Sequence, residues 1–185
     1  MIKFKVKNSK VEFEVFTTRP DTIYGVTFLS VAPENTILKS IVTSAHKVEV
    51  NKYIETTKSK TELQRKDLDK VKTGVFTGAY AINPINNEEI PIYTADYVLN
   101  SYATGIVMGV PGHDQRDFDF AKKYKLHVKF IIETNDHKKA LESDGKHINS
   151  LLINGKHIEP ATKIIVEYLE QHKLGKSHIT YKLKD

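Results

Sequence analysis

Two short segments contain most of the side chains in this chain that could carry out chemistry. The first, FTTRPDTIYG, spans residues 16–25 and sets three threonines around an arginine, a proline and an aspartate. Threonine hydroxyls donate and accept hydrogen bonds without filling much volume, and Pro20 followed by Asp21 favours a turn. From the residues alone, a polar turn and a binding loop at the end of a strand are equally good interpretations.

The second segment, HDQRD, spans residues 113–117 and has two interpretations of its own. A histidine beside two aspartates could ligate a metal ion in a phosphohydrolase, but such a site needs further histidines, and none stands in a recognisable frame with it. Alternatively, Asp114 caps a helix and Asp117 lies in its first turn, where the helix dipole favours a carboxylate. The residues alone favour this capping interpretation.

The elements that must position the first segment are short strands. Residues 11–16 (VEFEVF) alternate apolar and acidic side chains as a half-buried strand does, and residues 23–33 predict a second apolar strand. Residues 34–72 are charged and carry apolar positions at helical spacing, and residues 74–99 predict a β-hairpin with a turn at NPINNEE. The first segment is therefore expected to connect two strands.

The second segment lies between a strand and a helix. Residues 102–124 predict a glycine-punctuated apolar strand, a Pro-Gly turn and an amphipathic helix, and residues 128–132 predict another short strand. A last helix begins near Pro160 and stops at Gly175, and residues 177–183 predict a closing strand. Many short strands mixed with a few helices suggest a barrel or an α+β domain.

Composition limits the class of protein. The chain has 185 residues, of which 39% are hydrophobic, and this suffices for one domain with its own core. It has no cysteine, so disulfides and thiolate metal sites are excluded. No signal peptide or membrane span is recognisable, and we expect a soluble, cytoplasmic protein with no membrane partner. The net charge of +5 permits contact with nucleic-acid phosphates without predicting it.

Taken together, TTRPDTIYG and YATGIVMGVPGHDQRDFDFAKKY resemble the two signature segments of the editing domain of leucyl-tRNA synthetase, a class I aminoacyl-tRNA synthetase. The valine and isoleucine enzymes have similar threonine-rich segments, but Asp21 after Pro20 and the run HDQRDFDFA resemble the leucine enzyme. The C-terminal run YLEQHKLGKSHITYKLKD resembles the point where that enzyme's chain leaves the editing domain. Neither an HIGH nor a KMSKS signature of the amino-acid-activating site occurs.

The resemblance covers essentially the whole chain. It implies one editing domain over residues 1–185, with residues 1–15 and 176–185 as strands that lead to and from the synthetase body. It also implies an α+β fold with a β-barrel core of short strands and surrounding helices. One departure is Ala103, where the family usually has glycine before TGxVM, and its methyl group could narrow the approach of the tRNA end.

The activity that the resemblance implies is proofreading. Family members hydrolyse the ester that joins a wrong amino acid, such as isoleucine, norvaline or methionine, to the terminal adenosine of tRNA-Leu, the second step of a double sieve. The implied partners are that 3'-terminal aminoacyl-adenosine and the rest of the synthetase, and no metal ion or cofactor is implied. A catalytically weak or silent module that binds the tRNA 3' end is the alternative.

Roles for individual residues also come from the resemblance. Asp117 pairs with the substrate ammonium group, and Thr22 crowds the substrate side chain and excludes leucine. Thr17 and Thr18 position the attacking water and the ester, and Arg19 reaches substrate or terminal phosphate oxygens. The other residues assigned to substrate binding are Tyr24, Met108, Val110, His113 and Asp114.

Overall fold

A six-stranded mixed sheet lies at the centre of the computed structural model, which describes residues 1–67 and 71–178. The strands are β1 (Ile2–Val6), β2 (Glu12–Val15), β3 (Phe28–Val31), β4 (Gly74–Ile82), β5 (Glu89–Ala95) and β6 (Ile106–Gly109). They lie side by side in the order β2-β1-β4-β5-β3-β6. β3 and β5 run parallel, whereas the other neighbouring pairs are antiparallel.

Helices flank this sheet. The α-helices are α1 (Leu38–Ile41), α2 (Lys47–Thr57), α3 (Glu62–Lys66), α4 (Gln115–Tyr124) and α5 (Ile158–Gln171), and short 3₁₀ helices cover Pro20–Gly25, Ser44–His46 and Leu151–Ile153. α3 begins with a capping box, because the Thr61 side chain and the Gln64 side chain each accept a backbone N–H from the other residue. Over the described ranges, no helix combines the length and the apolar character needed to cross a bilayer.

The apolar pattern of the strands explains where the core lies. In β1 the side chains of Ile2, Phe4 and Val6 are buried and Lys5 between them is exposed, as expected for a strand with one face on the core. β3 is buried on both faces. Its Phe28 packs against Phe120 of α4, with ring centroids 5.2 Å apart, and Leu29 belongs to the main core cluster. β3 is thus enclosed between α4 and the main core.

Two of the predicted elements are confirmed. Residues 74–99 contain the hairpin of β4 and β5, with Gly74 opposite Ala95 and Ile82 opposite Glu89. Residues 102–124 contain β6 and α4 in the expected order. The mixed α and β character is also confirmed, but the closed β-barrel is not. The sheet is open as described, because no ladder joins its edge strands β2 and β6 within residues 1–67 and 71–178.

Three strand predictions differ from the structure. The strand expected over residues 23–33 is shortened to β3, because Pro20–Gly25 form a 3₁₀ helix. Residues 128–132 form no strand and contribute only an isolated bridge at Ile132, since the Ile131 backbone N–H donates to a histidine ring instead of to a ladder. The closing strand expected over residues 177–183 is absent from 177–178, and residues 179–183 lie outside the described part of the chain.

The other two helical predictions hold in outline and differ in their ends. The helical stretch expected over residues 34–72 is divided into α1, α2 and α3, and residues 68–70 within it are not described. α5 ends at Gln171 and not at Gly175, which instead forms a bridge with Ile2. At Gly175 an added Cβ would lie 2.7 Å from the Met1 carbonyl oxygen, so close approach of two backbones, and not a helix stop, explains this glycine.

Candidate functional site

The threonine-rich segment folds into a tight 3₁₀ turn that its own side chains stabilise. The hydroxyl of Thr17 accepts the Arg19 backbone N–H at 2.9 Å. The Arg19 carbonyl then accepts both the backbone N–H of Thr22, at 3.1 Å, and the Thr22 hydroxyl, at 2.7 Å. Pro20 occupies the first position of the turn, where its missing N–H costs nothing. Local hydrogen bonds therefore fix Arg19 and Thr22 relative to each other.

The second segment forms the start of α4, directly after β6. Asp114 is the N-cap, and its carboxylate accepts the backbone N–H groups of Arg116 and Asp117 at 2.9 and 3.3 Å. Asp114 also forms an ion pair with Arg116. The capping prediction is confirmed, because Asp117 lies in the first turn and is buried there. β6 fixes the approach to this turn through its antiparallel pairing with β3.

A cleft of about 170 Å³ separates the two segments. Its walls are formed by the threonine-rich turn on one side and by β6 and the start of α4 on the other. A second cavity of about 580 Å³ adjoins it and shares part of its lining, including Tyr102, Met108 and Asp117. The residues that line the smaller cleft are Phe16, Thr17, Thr18, Arg19, Thr22, Tyr102, Val107, Met108, Val110, His113, Asp114, Arg116 and Asp117.

Asp117 is the most buried carboxylate of the cleft, with 5% of its surface exposed. One of its oxygens accepts the hydroxyl of Tyr97 and the other accepts the backbone N–H of Val110, each at 2.9 Å. Burial, together with the negative charge of Asp114, raises the pKa of Asp117 to about 7. Because a carboxylate has about four acceptor positions, Asp117 can still receive hydrogen bonds from a ligand in the cleft.

Arg19 is held at the opposite wall by a buried acidic partner. Its Nε and Nη2 donate to the two carboxylate oxygens of Asp21, both at 2.9 Å, in the bidentate geometry typical of strong arginine pairs. This bond to Asp21 raises the pKa of the Arg19 guanidinium. The arginine side chain is 31% exposed, whereas Asp21 is fully buried. A third residue, His147, donates from Nε2 to Asp21 at 3.0 Å.

His113 lines the cleft, but both nitrogens of its ring already have backbone partners. Nδ1 donates to the Leu141 carbonyl at 2.8 Å, and Nε2 accepts the backbone N–H of Ile131 at 2.9 Å. Burial lowers the pKa of His113, which agrees with this neutral ring. His113 therefore has no free nitrogen for a metal ion, and no group of three potential metal-ligating His, Asp or Glu side chains occurs within the part of the chain that the structure describes.

Comparison with known proteins decides the family. Residues 1–170 match the family model described as leucyl-tRNA synthetase, editing domain. The chain belongs to this family. It is 47% identical over 179 residues to a leucine–tRNA ligase of Mycoplasma capricolum subsp. capricolum, and the match covers 97% of this chain and 22% of that protein. The matched region of the family model includes both polar segments.

A solved structure agrees with this editing-domain assignment. The fold matches the leucyl-tRNA synthetase of Agrobacterium radiobacter in its ternary complex with tRNA and LeuAMS, with a TM-score of 0.73 and 31% sequence identity. The match covers 95% of this chain and 19% of the synthetase chain. The editing domain therefore spans about a fifth of the length of both relatives.

The structure brings most of the predicted site residues of this editing domain to one cleft. Tyr24 is the exception, because it is buried in the main core cluster and does not line the cleft. Thr18 is exposed at the edge, and Thr22 is buried with only 4% exposed. The predicted residues that line the cleft are Thr17, Thr18, Arg19, Thr22, Met108, Val110, His113, Asp114 and Asp117.

Several residues of the site are not evident from the sequence of this editing domain. Tyr102 is 54% exposed, lines both cavities and contacts Phe16 edge-on, with ring centroids 5.8 Å apart. Tyr102 is the first residue of the second motif that carries the resemblance. An aromatic side chain directly before Ala103 is therefore a feature by which the sequence could indicate this site residue. Tyr97 and His147 gave no such signal, since they lie 20 and 126 positions from Asp117 and Asp21, their respective partners.

Proposed function

We propose that this chain is the editing domain of a leucine–tRNA ligase and hydrolyses the ester of a non-cognate amino acid on tRNA-Leu. Isoleucine, norvaline and methionine are the proposed amino acids. The family membership supports an editing role, and the single observation that carries the chemistry is the buried carboxylate of Asp117 across a narrow cleft from the threonine-rich turn. A domain that only binds the tRNA 3' end would share the cleft and lack the hydrolysis.

Asp117 is the proposed anchor for the substrate ammonium group. An aminoacyl ester keeps a free α-amino group, and its ammonium form makes charge-assisted hydrogen bonds to a carboxylate. The bonds from Tyr97 and Val110 fix the orientation of the Asp117 carboxylate, and burial keeps water from competing for it. The anchored ammonium places the ester carbonyl carbon a short distance away, towards the threonine-rich turn.

Water is the proposed nucleophile, with no covalent intermediate. Its oxygen attacks the ester carbonyl carbon, the bond to the ribose oxygen breaks, and the proton lost by the water passes to the departing ribose oxygen, which becomes the free hydroxyl. Thr17 and Thr18 offer hydroxyls to hold the water and the ester, and Arg19 offers N–H donors to the developing oxyanion. Because an ester is already reactive, holding both reactants in register supplies much of the acceleration.

Thr22 is the proposed residue that excludes leucine. Its hydroxyl donates to the Arg19 carbonyl, so the rotamer is fixed and the rest of this branched side chain is a rigid obstacle in the cleft. A single methylene changes binding by only about 1 to 3 kcal/mol, and a rigid obstacle is therefore needed to reject the cognate amino acid. The adjoining cavity of about 580 Å³ offers space for the terminal adenosine.

The proposed domain covers residues 1–185, joined to the synthetase body through residues 1–15 and 176–185. The two ends of the described chain lie side by side in support of this. The Lys3 backbone N–H donates to the Leu174 carbonyl at 2.8 Å, and the Lys176 N–H donates to the Met1 carbonyl at 3.0 Å. An inserted domain needs its entry and exit close together, and the remaining synthetase and its tRNA are the proposed partners.

Deacylation of mischarged tRNA tests this function. The 185-residue chain is incubated with isoleucyl-tRNA-Leu, and the release of free isoleucine is followed against a blank without protein. We expect release above the blank, and no release from leucyl-tRNA-Leu. Binding of the tRNA without release of isoleucine would instead establish the silent binding module.

A further inference from the structure

His147 occupies a position that neither the sequence motifs nor the proposed mechanism uses. Its side chain is fully buried, and it comes from the loop before the last helix, 126 positions after Asp21. Nε2 faces the Asp21 carboxylate at 3.0 Å, and Nδ1 faces the Lys156 carbonyl at 2.7 Å. An ionised carboxylate only accepts hydrogen bonds, so the ring nitrogen that faces Asp21 must donate to it.

The neighbouring charges agree with this arrangement. Although burial raises it, the hydrogen bonds from Arg19 and His147 bring the pKa of Asp21 below its ordinary value. Asp21 is therefore the ionised member of the group and cannot supply the proton between itself and His147. The three side chains form a triad of Arg19, Asp21 and His147, in which the ionised Asp21 accepts hydrogen bonds from both of the others.

The sharing of Asp21 matters because Arg19 lines the cleft. Because Asp21 accepts hydrogen bonds from both His147 and Arg19, it holds the guanidinium beside the place where the ester oxygen becomes negative. Two of the five N–H donors of the guanidinium go to Asp21, which leaves the others for a ligand. A carboxylate held from both sides also cannot rotate, and so the guanidinium keeps one orientation.

We infer that His147 is a positioning residue: with Nδ1 beside the Lys156 carbonyl, it donates from Nε2 to Asp21 and thereby holds Asp21 where it fixes Arg19 at the cleft. The kinetic part of this inference rests on the proposed editing function, whereas its structural part does not. His147 itself does not line the cleft and contacts no substrate.

The ring protons test the structural part without any activity. In long-range ¹H–¹⁵N spectra of the 185-residue chain, we expect a proton on Nε2 of His147, the ring nitrogen that faces Asp21. His113 is the internal control, because its geometry requires a proton on Nδ1 alone. A His147 ring without a proton on Nε2 would overturn the triad. The Arg19 Nε–H signal should exchange slowly with water in the parent chain and rapidly in H147N.

A double-mutant cycle tests the kinetic part. We expect H147N to lower kcat/KM for isoleucyl-tRNA-Leu about tenfold or more, because misplaced catalytic groups lose large factors in rate. In an R19A background the same substitution should cause no further loss, since His147 acts only through Arg19. Equal losses in both backgrounds would mean a general structural effect and would contradict the inference.

Control variants accompany this double-mutant cycle. His157 pairs with Asp144 at 3.2 Å on the surface, so H157N removes a His-Asp contact outside the triad and should leave both backgrounds unchanged. H147F, which keeps a ring and has no nitrogen to donate, replaces H147N if that variant does not fold. A parent chain that failed to release isoleucine would disprove the editing function, and the NMR measurements would then decide on the triad alone.

Discussion

The hydroxyl of Tyr97 donates to the carboxylate of Asp117 at 2.9 Å and connects it to the sheet, since the same hydroxyl lies 3.3 Å from the hydroxyl of Ser30 on β3. This relationship sets the chemistry of the cleft. Asp117 is buried beside Asp114, and the donors Tyr97 and Val110 are what make its ionised form accessible near neutral pH. The proposed anchor for the ammonium group therefore depends on residues from three separate parts of the chain.

The pH dependence of editing follows from this carboxylate. Asp117 must be ionised to hold an ammonium group, and its pKa is about 7, so kcat/KM should rise as the pH increases through 7. An α-amino group loses its proton with a pKa of about 7.7 to 8.0, so kcat/KM should fall again above that range. Initial rates between pH 5.5 and 9, corrected for spontaneous ester hydrolysis, measure this profile. A rate that stays flat below pH 7 would contradict the assignment.

Y97F gives an independent check on the acid limb of this profile, the pH range in which kcat/KM rises. The Tyr97 hydroxyl favours the ionised carboxylate, so its removal should raise the pKa of Asp117 and move the acid limb to higher pH. The ring remains to pack against Phe120, with centroids 5.5 Å apart in the parent chain. A lower kcat/KM whose acid limb stayed at the same pH would point to altered packing instead.

Thr22 should control which amino acid is removed. T22A takes away the rigid branched side chain, and we expect leucyl-tRNA-Leu to become a substrate, with discrimination falling by about 10- to 200-fold, the amount expected for one methylene. T22V is the matched control, because it keeps the branch and loses only the hydroxyl that donates to Arg19. Release of free leucine is measured for each variant. If T22V hydrolysed leucyl-tRNA-Leu as readily as T22A, the hydroxyl and not the shape would carry the selectivity.

The backbone of Ala103 is strained. Its φ is +49°, in the left-handed region that costs a residue with a Cβ about 1 to 2 kcal/mol. Glycine pays about 0.5 to 1 kcal/mol in conformational entropy, so A103G should raise the free energy of unfolding by roughly 0.5 to 1 kcal/mol. Urea denaturation measures this change in the free energy of unfolding. Ala45 is also exposed and has no positive φ, so A45G should lower stability.

Local chemistry explains what the sequence could predict. The cap at Asp114 and the turn around Pro20 depend on neighbours within a few positions, and both fold as their residue types require. The strand expected at residues 128–132 fails because the Ile131 N–H bonds to His113 instead of to a neighbouring strand, a choice that apolar periodicity does not reveal. A closed barrel depends on pairing between strands that are distant in the chain, and no local pattern fixes that pairing.

Distance along the chain likewise explains which site residues were missed. Asp117 and Thr22 lie within recognisable motifs, whereas His147 reaches Asp21 only through the tertiary fold. The pattern HDQRD suggested a metal site as well as a helix cap, and the structure separates these alternatives through the two backbone bonds of the His113 ring. Roles that depend on the free nitrogens of a side chain become visible only when its partners are known.

The most direct test of the account compares two aspartates on α4. Asp117 faces the cleft, and Asp119, two positions later, is exposed and bonded to Gln115. Hydrolysis of isoleucyl-tRNA-Leu is measured for D117A and for D119A under the same conditions. The account predicts that D117A abolishes release of isoleucine and that D119A keeps the parent rate. Unchanged hydrolysis by a folded D117A variant would contradict it.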